Sequence, residues 1–124
     1  MQDQRPVNLD IGTIRLPITA YASITHRVTG VILVGASFLL LALLDLSLSG
    51  PEGFARAAGI MDSAVVRLIA WVIASALIYH GLAGIRHVIM DFGIGETLEG
   101  GILGARLVII LSVVASIAAG VALW

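Results

Sequence analysis

The chain of 124 residues contains no cysteine. That excludes disulfides, thiolate metal sites, iron–sulfur ligation and cysteine nucleophiles. Lysine is absent too, and all seven basic residues are arginine. Charge of either sign is scarce at 12% of residues, about half of what a soluble domain carries. The net charge of −1 gives no basic footprint, so no nucleic-acid partner is expected. A disordered chain is excluded for the opposite reason, since 59% of residues are hydrophobic and mean hydropathy is +1.06. Scarce charge on so apolar a chain points to a lipid environment.

What is present fits that environment. Val28 to Leu44 is an uncharged apolar run, Leu68 to Ile85 contains only His80 as an ionisable group, and Leu107 to Trp124 is again uncharged. With its flanks, each is long enough for a helix to cross a hydrocarbon core of about 30 Å. Gly30, Gly35, Gly81, Gly84, Gly120 and many alanines stand within the runs, as close helix packing in lipid requires. The expected fold is all-α, a single membrane-anchor domain over 1–124 with transmembrane helices at about 22–47, 64–90 and 104–124. A surface segment of about residues 1–19, without the layout of a signal peptide, precedes them. Pro51 after Gly50 predicts a new helical start, and Phe54, Ala57, Ala58 and Met61 then repeat at the spacing of a short interfacial helix. Gly93, Gly95, Gly100, Gly101 and Gly104 read as a loop before the third span.

The arginines orient the chain. Arg5, Arg15 and Arg27 precede the first span and Arg86 and Arg106 bracket the glycine-rich connection, whereas Arg56 and Arg67 lie on the opposite side. The positive-inside rule then places the N-terminus in the cytoplasm and Trp124 outside.

Polar groups within spans are costly and are functional candidates. Ser23, His26, Arg27 and Gly30, spaced by three, four and seven, share a helical face at the start of span one. A snorkelling arginine with ordinary interfacial neighbours is the other reading of that face. His80, Gly81, Gly84, Arg86, His87 and Asp91 form a second cluster. His80 lies roughly 8 Å along the axis inside the arginine-marked end of span two. A glycine beside it lets a flat, bulky group approach the backbone, and neutral imidazole is a common axial ligand of haem iron. The alternative is a structural histidine bonded to a neighbouring helix. Spans one and two run antiparallel, so a haem on His80 would aim its propionates at His26 and Arg27. The chain offers one deep histidine, so six-coordinate haem would need its second ligand from another helix, in a partner or a second copy.

At these positions the chain resembles the cytochrome b subunit of succinate dehydrogenase. The stretch His80-Gly-Leu-Ala-Gly84-Ile-Arg86-His87-Val-Ile-Met-Asp91 fits one signature of that family, and Arg5-Pro6-Val7 through Ser23-Ile-Thr-His26-Arg27-Val-Thr29-Gly30 fits the other. Pro51-Glu52-Gly53-Phe54 extends the likeness into the outer loop. The resemblance implies one half of a heterodimeric helical-bundle anchor of complex II, succinate:quinone oxidoreductase, in a bacterial inner membrane. It implies a shared haem b with His80 as axial ligand, the other histidine coming from a second anchor subunit. It places Ser23 and Arg27 at a ubiquinone site beside the iron–sulfur subunit, and His26 and Arg27 near the propionates, with His87 a further neighbour. Succinate chemistry would then belong to the flavoprotein and iron–sulfur subunits, because this chain has no cysteine for a cluster. A hydroxyl such as Ser23 can hydrogen-bond a quinone carbonyl, and Arg27 can stabilise charge building during reduction. A purely structural anchor or assembly protein, or an anchor of quinol:fumarate reductase, are the competing expectations.

Overall fold

A computed structural model describes residues 7–124, so Arg5 and Pro6 lie outside the described residues. The described chain is helical, without strands: α1 (Ile18–Leu48), α2 (Pro51–Met61), α3 (Ala64–Asp91) and α4 (Leu98–Leu123). Three of them, α1, α3 and α4, are long and apolar enough to cross a membrane. The 31 residues of α1 make a helix of about 46 Å. That exceeds a hydrocarbon core, so its ends project or the helix tilts.

The helix boundaries follow from local chemistry. Pro17 holds an extended conformation before α1. Gly50, at φ 128°, makes the reversal after α1 that only glycine adopts easily, and Pro51 then takes the first helical position of α2. The short helix folds back on the end of α1, bringing Gly53 against the Leu46 carbonyl and the Ser49 hydroxyl. Arg67 ties the next corner, donating from Nε to the Met61 carbonyl at 3.1 Å and pairing with Asp62 at 3.3 Å. Helix α3 ends in a Schellman motif: Ile94 N–H reaches the Ile89 carbonyl, Gly93 N–H reaches the Met90 carbonyl, and Gly93 has φ 80°. Helix α4 starts at Leu98 because the Thr97 hydroxyl accepts from Gly100 N–H at 3.1 Å.

That cap corrects one expectation. Gly100, Gly101 and Gly104 are not loop residues but belong to the first turns of α4. Gly101 is buried beside Thr19, and a Cβ at Gly104 would stand 3.0 Å from Arg86 Nε. They are contact surfaces, where the missing side chain lets helices approach.

Helix α3 packs against both α1 and α4. Its buried positions Ala76, Tyr79 and Ala83 repeat at three and seven residues, as do Ala105, Val108 and Ser112 on α4, while Ala22, Thr29 and Ala36 recur every seven on α1. Such seams of small residues let helices in lipid approach closely. The large apolar side chains point outward, as in Phe38 (71% exposed) and Val121 (76%). Lipid as solvent accounts for that inversion: it welcomes leucine outside, and helix contact gains most where side chains are small.

Candidate functional site

The structure brings all three histidines together where α1 and α3 pack. His26 lies between the other two. Its ring stacks on His80 with centroids 4.3 Å apart and planes 28° apart, and it faces His87 at 5.3 Å and 32°. Positions 80, 84 and 87 form one stripe of α3. Gly84 is the position opposite the His26 ring, 3.9 Å from its Nε2 to where a Cβ would stand. Gly30 is tighter: a Cβ there would come within 3.2 Å of His80 Cε1. The glycine on α1 thus makes the space in which the His80 ring lies, while Gly81 opens onto empty surface.

The hydrogen bonds of His80 define its chemistry. Its Nδ1 lies 3.1 Å from the His26 backbone carbonyl and 3.3 Å from the Thr29 hydroxyl. A carbonyl only accepts, so Nδ1 is the nitrogen that donates here, and in the tautomer that does so Nε2 keeps its lone pair. Thr29 is itself fixed, being buried and donating to the Thr25 or the His26 carbonyl, both at 2.9 Å. A backbone-held imidazole with a bare Nε2 is how proteins prepare a histidine for iron. His80 is half-buried, so this nitrogen belongs to a ring that part of the surface still reaches. Among the described residues no three His, Asp or Glu side chains converge as around a free metal ion. The donor set therefore fits a macrocycle that brings four ligands of its own and needs one imidazole from this chain.

The remaining predicted residues lie at the rim. Ser23 is half-buried, with no side-chain hydrogen bond among the described residues, and Arg27 one turn later is exposed without an ion pair among them. His87 is exposed, whereas His26 is half-buried and its Nε2 is enclosed without a partner. An enclosed nitrogen of that kind is costly unless a ligand completes it. Arg86 departs from its predicted cluster. It turns to α4 and donates from Nη2 to the Gly101 carbonyl at 3.1 Å, because position 86 is rotated by about a third of a turn from the His80 stripe.

Two residues that hold the site escape sequence reasoning. Tyr79, buried, donates its hydroxyl to the Ala22 carbonyl at 2.8 Å and fixes α3 against α1 one residue from His80. Thr29 belongs to a recognised motif, yet its bond to His80 spans 51 positions of sequence. A hydroxyl on the small-residue seam of an apolar helix was the available signal for Thr29. An aromatic beside the deep histidine was the signal for Tyr79.

The sequence was also compared with known proteins. The family described as succinate dehydrogenase/fumarate reductase transmembrane subunit matches residues 1–119. The chain is 34% identical over 125 residues to the succinate dehydrogenase cytochrome b556 subunit of Coxiella burnetii, covering 100% of both chains. It is 36% identical over 95 residues to the subunit of the same name from Paracoccus denitrificans, covering 77% of this chain and 73% of the relative. A succinate dehydrogenase hydrophobic membrane anchor subunit of Halobacterium salinarum is 33% identical over 76 residues, covering 60% of this chain and 58% of that one.

Proposed function

The chain belongs to the family of succinate dehydrogenase/fumarate reductase transmembrane subunits, and from that premise we propose that it holds a haem b through His80 and helps to form a site of ubiquinone reduction. It is thus an anchor within an oxidoreductase complex. The whole chain acts as one anchor domain, in a bacterial inner membrane, with its N-terminus in the cytoplasm. The observation that carries the reading is the Nδ1 contact of His80 with the His26 carbonyl at 3.1 Å, which leaves Nε2 bare.

When bound, a haem would supply a one-electron store. The chain's own residues do the rest. Thr29 and the His26 carbonyl orient the His80 ring and set its tautomer, and Gly30 leaves room for it. The exposed guanidinium of Arg27, next to His26 in the chain, suits the propionates, whose charge lipid would otherwise penalise. His87, whose ring lies tilted against that of His26, is a further neighbour of that charge. Ser23 offers an uncommitted hydroxyl to a quinone carbonyl, and Arg27 one turn away stabilises the negative charge that reduction puts there. Electrons arrive from outside, since the chain has no cysteine to hold a cluster. The partners would be a flavoprotein subunit, an iron–sulfur subunit and a second anchor subunit that would offer the haem another histidine. The relatives named for succinate dehydrogenase support the direction from succinate to quinone.

A reduced-minus-oxidised visible spectrum of the purified complex tests the assignment. A b-type band is expected, and His80→Ala should abolish or displace it; an unchanged spectrum and midpoint potential would remove His80 from the iron. No band at all in the wild-type complex would leave a structural anchor. Arg27→Leu should lower quinone reduction by about tenfold or more, the worth of one charge-assisted hydrogen bond, while succinate oxidation with an artificial acceptor continues.

A further inference from the structure

On the side of α3 turned away from the histidines, Arg86 occupies a groove between α3 and α4 with a volume of about 260 Å³. Arg86 is the one charged residue among those that line it. Nη2 is bonded to the Gly101 carbonyl, and Nε is enclosed without a partner. Among the described residues no carboxylate pairs with this guanidinium, and Asp91, Glu96 and Glu99 at the same end are exposed. An arginine so placed in a membrane helix demands an anion. The rest of the groove says which kind. Towards the surface it is walled by Gly95 and Gly100, which add no side chain of their own to the groove. In the opposite direction, deeper along both helices, Leu82, Leu107 and Leu111 continue it as an apolar trough. A free anion has no use for that trough. A phospholipid has use for both parts, since guanidinium binds phosphate in a forked geometry and an acyl chain fills an apolar slot. Basic pockets between transmembrane helices at the positively charged face suit anionic headgroups in general.

We propose that this groove binds one anionic phospholipid, with its phosphate on Arg86 and an acyl chain along Leu82, Leu107 and Leu111. The site is separate from the haem and quinone reading and stands without it. Phosphate chemistry is shared by lipid headgroups and inorganic phosphate, and a carboxylate of a partner subunit is the protein alternative.

The test uses the whole purified complex in nanodiscs of phosphatidylcholine containing a minor fraction of phosphatidylglycerol. Retained lipid is counted by native mass spectrometry. The wild-type complex should keep one phosphatidylglycerol in preference to phosphatidylcholine. R86Q should lower that retention about tenfold, as loss of one charge-assisted hydrogen bond predicts. L111W, at a half-exposed position that leaves Arg86 intact, should lower it as well by filling the trough. Added inorganic phosphate should not displace the lipid. Equal retention by wild type and R86Q overturns the proposal. So does inorganic phosphate that stabilises wild type and L111W alike, or an R86Q complex that sheds a partner subunit with its lipid unchanged.

Discussion

At the scale of single residues, the site rests on small groups as much as on histidines. The Thr29 hydroxyl lies 3.3 Å from His80 Nδ1, and the His26 carbonyl shares that proton at 3.1 Å. Thr29→Val keeps the volume and removes the hydroxyl. A lost hydrogen bond of this kind is worth about 1 kcal/mol, so haem retention on the purified complex should weaken about fivefold. Thr29→Ser should restore it. A pyridine haemochrome assay after dilution into haem-free buffer reads the difference, and retention unchanged in Thr29→Val would show that Thr29 only packs. His26 and His80 were legible from sequence because ionisable groups stand out in an apolar run. Thr29 was not, because a threonine in a membrane helix more often bonds only to its own backbone, as Thr29 also does.

At the scale of elements, each boundary has a local cause and the contacts between helices do not. Gly50 and Pro51 end α1 and start α2 on chemistry that any reader of the sequence sees. The reason for Gly53 appears only in the fold, where its Cα faces the Leu46 carbonyl and the Ser49 side chain. Gly53→Ala would drive a Cβ into a backbone oxygen, so α2 must lift from α1. The expected result is a loss of about 1–3 kcal/mol, the range for overpacking, read as a lower unfolding midpoint of the purified complex. An unchanged midpoint would mean that α2 yields freely. The arginines divide in the same way. Arg27 stays on the surface end of α1, while Arg86, five residues from the end of α3, is turned by the helical period towards α4.

At the scale of the whole molecule, the chain is built to be covered. Its buried positions are mostly alanine or glycine, and among the described residues no large side chain is fully enclosed. A protein of this kind draws its stability from lipid and from other subunits rather than from a hydrophobic core. The orientation reading belongs to this scale as well. If the arginine-rich end faces the cytoplasm, as the positive-inside rule predicts, alkaline phosphatase fused after Trp124 should be active in a bacterial host and the same enzyme fused at Gly95 should be inactive. The reverse pattern would invert the molecule and move the histidine cluster to the opposite face.

By itself the sequence determined the solvent, the number of long helices and the identity of the polar exceptions within them. Those properties depend on composition and on periods of a few residues, which a linear string displays directly. The tertiary structure decided what each exception touches. It set His26 between His80 and His87, turned Nδ1 of His80 to a carbonyl of another helix, and sent Arg86 to α4. Such outcomes depend on the rotation and separation of packed helices, quantities of ångströms and degrees that arise only when residues 15 to 54 positions apart in the chain are brought into contact.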